Sequence, residues 1–214
     1  MRLHSGGRFR RWLGARFGGD FVLGDRVYRR LMHCCGALAV LYLVVPTGVL
    51  GVVPTYVVLL AALALVVALE GLRHLRGWEL PTIRPYERER VGSYVFYAIA
   101  LTAALLLFPR AVAAAVILGT ALVDPLLGEL RLRWSRPIAP ALAGVTVYFA
   151  LAAVAFVVFG GATGAGVIFL ALLGAVLAIA AEWPTWGSVD DDLAITLVPG
   201  AVLTLVLVAL PWLR

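Results

Sequence analysis

The chain contains no lysine and few charged residues of any kind. All 18 of its basic residues are arginine, and charged residues make up 14% of the sequence, against about 25% in an average soluble domain. The lack of lysine excludes any mechanism that needs a lysine amine, such as a P-loop lysine or a Schiff base. The low charge, together with a hydrophobic share of 63%, excludes a soluble globular enzyme. The composition predicts one polytopic membrane domain.

Cysteine and histidine are also scarce, and neither occurs in a known catalytic or zinc-binding pattern. The two cysteines, Cys34 and Cys35, are adjacent, which is a poor arrangement for a disulfide and matches no metal-binding spacing. We therefore expect both to be small buried residues of apolar character. No HExxH sequence and no Ser-His-Asp order is present, so a zinc protease and a serine hydrolase are not indicated.

Long apolar runs dominate the rest of the chain. A hydrocarbon core about 30 Å thick requires about 20 apolar residues in a helix. Seven runs reach or approach this length: Leu31–Leu50, Val53–Leu69, Val91–Phe108, Ala111–Leu127, Ile138–Phe159, Gly166–Ala181 and Leu193–Leu213. The sequence therefore predicts an all-α, polytopic transmembrane helical bundle of about seven spans. Because several runs are short, six spans with a re-entrant segment is the alternative.

The arginines alternate between the two sides of this predicted bundle. Eight lie in residues 1–30, five in 70–90 and three in 124–136, whereas Arg110 is the one arginine of the intervening turns. Cytoplasmic loops are enriched in arginine, so the N-terminus is predicted to be cytoplasmic. We divide the chain into a basic, amphipathic interfacial arm at 1–30 and a transmembrane domain at 31–214 with cytoplasmic loops. Such a basic arm is typical of contact with an anionic membrane face and not with nucleic acid.

Carboxylates also concentrate in the predicted cytoplasmic loops. Asp124 and Glu129 follow the fourth run, Glu182 ends the sixth, and residues 190–192 are three aspartates before the seventh. Carboxylates from several loops can hold Mg²⁺, which takes oxygen ligands, while arginines nearby bind phosphate oxygens. The alternative is that these acids are solvated and pair with arginines across the loops. Asp124 is the strongest candidate because it lies next to Pro125 among apolar residues, where a carboxylate is costly.

Five short segments then follow one another in a distinctive order. They are Arg29-Arg30 with His33 and Gly36; Glu70 with Arg73; the arginine-glutamate loop 84–90 before Gly92-Ser93-Tyr94; Asp124 with Leu126-Leu127-Gly128; and Glu182 with Asp191-Asp192-Leu193. In these segments, which extend from about residue 29 to 197, the chain resembles the CTP-dependent polyprenol kinase family of dolichol kinase and phytol kinase. It departs from the family at Asp192, where asparagine is usual, and at Arg136, where a lysine is usual.

The resemblance implies an enzyme that transfers the γ-phosphate of CTP to dolichol or a related polyprenol. It implies Mg²⁺ as cofactor and an active site on the cytoplasmic face of the cell membrane, with the bilayer, CTP and the isoprenoid alcohol as partners. The residues implied are, for catalysis, Asp124, Glu182 and Asp191; for the metal, Asp124, Asp191 and Asp192; for the nucleotide phosphates, Arg84, Arg88, Arg131, Arg133 and Arg136; and, as further positions like those of the family, His33, Glu70, Arg73 and Glu87.

Other functions are compatible with the same sequence. The loop 84–90 is either a salt-bridged surface or a nucleotide-binding loop, and an interfacial imidazole such as His33 is usually structural. Another nucleotide-dependent lipid enzyme, such as a cytidylyltransferase, is one alternative to the kinase. A small transporter or a non-enzymatic membrane partner is another, and a transporter would depend on polar groups within the spans, such as Thr102, Thr146 and Tyr148.

Overall fold

All regular secondary structure is helical in the residues that the computed structural model describes, which are 25–45, 55–78, 89–134, 136–182 and 190–213. This confirms the predicted all-α class. The helices are α1 (Asp25–Cys35, continued by a 3₁₀ helix at Gly36–Leu43), α2 (Thr55–Arg76), α3 (Ser93–Leu107), α4 (Arg110–Arg133), α5 (Ile138–Gly160), α6 (Ala165–Glu182) and α7 (Asp191–Ala209), followed by a 3₁₀ turn at Pro211–Leu213.

Five of these helices are long and apolar enough to cross a membrane. The qualifying segments of α2, α4, α5, α6 and α7 are 18 to 24 residues long, which corresponds to about 27–36 Å at 1.5 Å per residue. The apolar part of α1 with its 3₁₀ extension, and α3, are shorter. The helices are consistent with a multi-pass membrane protein.

Glycines in the left-handed conformation end two of the long helices. Gly77 has a φ of 61° and follows α2, where the Trp78 N–H donates to the Arg73 carbonyl at 3.1 Å. Gly161 has a φ of 63° and follows α5, where the Ala162 N–H returns to the Phe156 carbonyl at 3.3 Å. Glycine adopts this backbone conformation without steric cost, and these bonds satisfy carbonyls that the helix leaves open.

Helix α4 is the centre of the bundle. It contacts α1, α3, α5, α6 and α7, and 67% of its membrane-length window is buried, against 11% for the peripheral α2. Alanines at 111 and 113–115 and a glycine at 119 keep its surface thin. A Cβ at Gly119 would lie 2.0 Å from Cε2 of the buried Tyr148 ring, so the aromatic ring of α5 occupies this space. Within a membrane the hydrophobic effect does not drive helices together, so small residues that permit close packing stabilise the contact.

Successive helices run in alternating directions, which places the ionisable side chains at one end of the bundle. This polar end carries His33, Glu70, Asp124, Glu182 and Asp192, from five different helices. The opposite end is formed by the short connections at 108–109 and 161–164. Among the described residues, Arg110 is the one charged residue at that opposite end. Within the described part of the chain, the acidic side chains and the arginines other than Arg110 therefore lie at one end of the bundle.

Two local expectations are corrected, one on helix ends and one on the cysteines. Residues 70–76 and 128–133, expected in loops, continue α2 to Arg76 and α4 to Arg133, where leucines such as Leu75 and Leu130 extend the helices among charged residues. Cys35 is exposed on α1, not buried, and Cys34 is half-buried. Helix α1 begins at Asp25, so it includes the last six residues of the predicted arm at 1–30, a division that stays a prediction. Residues 1–24 of the predicted arm lie outside the described residues.

Candidate cation site at the polar end

His33, Asp124 and Asp192 meet at the polar end from three different helices. The His33 Nε2 atom lies 3.1 Å from Asp192 Oδ1 and 3.6 Å from Asp124 Oδ2. One ligand atom from each of the three residues lies within 4.8 Å of the other two. His33 and Asp192 are buried, and the Asp124 side chain is 27% exposed. We call these three side chains the triad.

The imidazole of the triad is held by an aromatic ring of α3. The ring centroids of His33 and Tyr97 are 4.1 Å apart and their planes differ by 22°, which is a stacked arrangement. The Tyr97 hydroxyl also donates to the His33 carbonyl at 2.9 Å. Gly36 leaves room for this tyrosine, since a Cβ there would lie 1.8 Å from the phenolic oxygen. Sequence reasoning missed Tyr97 because only the packing of α3 against α1 reveals it.

Asp192 is fixed by the start of α7. Asp190 caps this helix, and its Oδ1 accepts the Asp192 N–H at 3.1 Å. The Thr196 hydroxyl donates to the Asp192 carbonyl at 2.8 Å and lies 2.8 Å from the Thr120 hydroxyl of α4. Carboxylates at a helix N-terminus interact favourably with the exposed N–H groups there. Burial, and after it the charge of Asp192, raises the pKa of the Asp190 carboxyl above its usual range.

The three aspartates of the 190–192 segment have different environments. Asp192 is buried and belongs to the triad, whereas Asp191 is exposed at the first position of α7 and is not among the three clustered ligands. Asp190 is half-buried and caps the helix. Successive residues of a helix point about 100° apart, so only one of three neighbours can face a given point.

Glu182 forms the second charged feature near the triad. Its Oε1 accepts a hydrogen bond of 2.7 Å from Arg131 Nη1, and its side chain is only 5% exposed. The other oxygen, Oε2, is buried and has no hydrogen-bond partner among the described residues. Arg131 thus links α4 to the end of α6, beside the triad.

Glu70 organises the contact between α2 and the start of α3. Its two oxygens accept bonds from Arg73 Nε at 2.6 Å and Nη2 at 2.8 Å, from the Gly92 N–H at 2.7 Å and from the Tyr94 hydroxyl at 2.5 Å. Arg73 Nη2 donates further to the Arg90 carbonyl at 2.7 Å. We call this set the Glu70 network. It fixes the chain at residues 90–94, directly after the arginine-glutamate loop.

The remaining residues expected at the site are distributed around this end. Arg30 of α1 pairs with Glu129 of α4. Arg30 precedes His33 by three residues, and Glu129 follows Asp124 by five. Arg133 and Arg136 are exposed at the end of α4 and after it. Arg84, Glu87 and Arg88 lie outside the described residues.

This arrangement can hold a divalent cation. Two carboxylates and one imidazole come from rigid helices, and a paired arginine lies beside them. Comparison with known proteins adds no assignment: no protein-family model, no curated protein and no solved structure matches this chain.

Proposed function

We propose that the protein is a lipid-alcohol kinase that transfers the γ-phosphate of CTP to dolichol or a related polyprenol. The observation that carries the proposal is the convergence of Asp124 and Asp192, from α4 and α7, at the polar end of an otherwise apolar bundle. Paired carboxylates that can share a cation with phosphate oxygens are characteristic of phosphoryl transfer. A membrane-embedded bundle gives a long isoprenoid chain direct access to such a site.

The proposed setting is the cell membrane, with about seven spans and the polar end in the cytoplasm. Five helices have the required length, and we propose that the shorter α1 and α3 complete the bundle. The described arginines Arg30, Arg73 and Arg131 lie at the polar end, and the positive-inside rule favours the cytoplasm for an arginine-rich face. The nucleotide is available on that side.

The two triad carboxylates fit a magnesium ion. Mg²⁺ is usually bound through one or two carboxylates, with water and substrate phosphates completing its shell. Asp124 is partly exposed, so its carboxylate can reach an ion that also binds the nucleotide phosphates. The buried Asp192 is fixed by the start of α7. When bound, the ion would neutralise charge on the phosphates. Asp191, also implied by the family resemblance, is exposed and would contact an outer water or phosphate.

Arginines around the polar end supply the phosphate contacts. The hydrogen bond of 2.7 Å from Arg131 Nη1 to Glu182 Oε1 orients the Arg131 guanidinium. Arg133 and Arg136 follow within five residues and are exposed. Guanidinium groups bind phosphate oxygens through two parallel N–H bonds. We propose that Arg84 and Arg88, together with Glu87, come from the loop whose end is fixed by the Glu70 network.

We assign to Glu182 the binding of the hydroxyl group of the acceptor alcohol. Its buried Oε2 has no hydrogen-bond partner among the described residues, so it can accept a hydrogen bond from the alcohol. As the alcohol oxygen bonds to the γ-phosphorus, the bond from that phosphorus to the β-γ bridging oxygen breaks and CDP leaves. The hydroxyl proton passes to Glu182. Positioning of this kind, with charge stabilisation, accounts for most phosphoryl-transfer catalysis.

Phosphate transfer by the purified protein tests the proposal. The protein in detergent is incubated with γ-labelled CTP, Mg²⁺ and a panel of polyprenols and other lipid alcohols, with labelled ATP in parallel. We expect label in a polyprenol, with CTP preferred. Release of pyrophosphate with cytidine joined to a lipid phosphate would instead identify a cytidylyltransferase. Nucleotide-independent uptake into liposomes, without lipid labelling, would identify a transporter.

A further inference from the structure

We propose that the triad is a mixed nitrogen-oxygen site in which His33 Nε2 binds the cation directly beside Asp124 and Asp192. The cation class is then a divalent first-row transition ion, and Mn²⁺ is the probe. This deepens the proposed kinase site, since it shares both carboxylates with it. It adds an imidazole ligand, which an oxygen-only magnesium site does not contain.

Two of the three ligand separations are close to those of adjacent ligands in a coordination octahedron. Ligands about 2.1 Å from a metal are about 3.0 Å apart when adjacent and about 4.2 Å apart when opposite. The two distances from His33 Nε2 are 3.1 and 3.6 Å, and the longest separation in the triad is within 4.8 Å. Small side-chain rotations of the partly exposed Asp124 therefore bring all three atoms to bonding distance of a single ion.

The triad is also built in advance. Tyr97 stacks on the imidazole of His33 and fixes the plane in which Nε2 faces the two carboxylates. Asp192 is fixed through its own backbone by Asp190 and Thr196. A site whose ligands are already ordered loses little conformational freedom when the ion binds, and such supporting contacts strengthen metal binding.

A neighbouring buried carboxyl provides a second, independent indication of a cation. The Glu182 side chain is only 5% exposed, and its Oε2 atom has no hydrogen-bond partner among the described residues. Arg131, which is paired with its other oxygen, lies seven residues, about two helical turns, after Asp124 on α4. The carboxyl groups of Asp124, Asp192 and Glu182 thus lie at one end of the bundle with one imidazole, and the arginines there, Arg30 and Arg131, are paired with Glu129 and Glu182. A divalent cation offsets this accumulation of negative charge.

The ligand types determine which cation binds best. Imidazole nitrogen suits zinc, iron, nickel and copper, whereas carboxylates suit magnesium, calcium and manganese. A site with one imidazole and two carboxylates therefore favours a cation that accepts both. First-row transition ions bind both ligand types. Mn²⁺ is the weakest binder of that series, and it is the probe here because its unpaired electrons report a directly bound nitrogen. We expect Mg²⁺ to compete at least about tenfold less well than Mn²⁺.

The experiment is Mn²⁺ binding to the purified full chain in detergent, followed by electron paramagnetic resonance. Titration gives the stoichiometry, and pulsed measurement of electron spin echo modulation detects a ¹⁴N nucleus bound to the ion. We expect one Mn²⁺ per chain with a ¹⁴N signal in the wild-type protein. Asp124→Asn and Asp192→Asn are expected to lower the Mn²⁺ affinity at least about tenfold.

Two histidine variants identify the nitrogen. His33→Asn should abolish the ¹⁴N signal, whereas the control His74→Asn should retain it, since His74 lies beside Glu70 and not in the triad. If wild-type protein binds no Mn²⁺, or binds it without a ¹⁴N signal, the proposal is wrong whatever the variants do. Kinase activity is measured separately. Mn²⁺ bound to His33 in a protein without transferase activity would uphold this site and refute the kinase.

Discussion

Replacing Glu70 by glutamine tests the energetic role of the Glu70 network. The Glu70 and Arg73 side chains are only 6% and 4% exposed, and the carboxylate accepts four hydrogen bonds. Glu70→Gln keeps the size but removes the charge, so the buried guanidinium loses its carboxylate. Breaking a buried pair on one side costs about 3–5 kcal/mol. At about 2–4 °C per kcal/mol for a chain of this length, Tm should fall by about 6–20 °C.

The matched control is Glu129→Gln. Glu129 also pairs with an arginine, in this case Arg30 of α1. The Glu129 side chain is 39% exposed and that of Arg30 is 21% exposed. Exposed pairs contribute about 0–1 kcal/mol, so Tm should change by less than about 4 °C. Thermal unfolding in one detergent, followed by the loss of monodisperse protein on gel filtration, compares both variants with the wild type. Equal shifts in the two variants would refute the argument from burial.

Two further predictions concern packing around α4. Gly119→Ala places a methyl group 2.0 Å from a carbon of the buried Tyr148 ring. We expect the free energy of unfolding to fall by about 1–3 kcal/mol, measured as a lower Tm. The control Gly71→Ala, with no atom within 4 Å of the new Cβ, should leave Tm unchanged or raise it. Thr120→Val removes the 2.8 Å contact between the hydroxyls of Thr120 and Thr196, which should cost about 0.5–1.5 kcal/mol in the same assay. An unchanged Tm in Gly119→Ala would show that the Tyr148 ring can move aside.

The helices were largely predictable because their apolar runs are long and their ends are marked by glycine and proline. The run expected at Ile138–Phe159 corresponds to α5 at Ile138–Gly160, and Gly166–Ala181 to α6 at Ala165–Glu182. The errors were at helix ends. Charged residues after Leu69 and Leu127 indicated loops, but helices that leave an apolar layer can continue with polar side chains, as α2 does to Arg76 and α4 to Arg133.

The side of the bundle on which the two candidate aspartates lie was predictable, but their arrangement was not. Asp124 and Asp192 were both expected on one side of the bundle, since each lies at the end of an apolar run. Nothing in the sequence distinguished Asp192 from the exposed Asp191, because the rotation of α7 is set by packing. For His33 the sequence left a structural role and a family-like site position open, and its approach to both carboxylates depends on how α1 packs against α4 and α7. Tertiary contacts of this kind leave no local signal in the sequence.

The most direct test of the account is phosphate transfer from γ-labelled CTP to polyprenol by variants of the triad. Asp124→Asn and Asp192→Asn should each lower the rate of lipid labelling at least about 100-fold while inserting and purifying like the wild type. Glu129→Gln, at the same end of α4 but outside the triad, should label lipid at close to the wild-type rate. Full activity in both aspartate variants would contradict the account, because the converging carboxylates would then have no part in the chemistry.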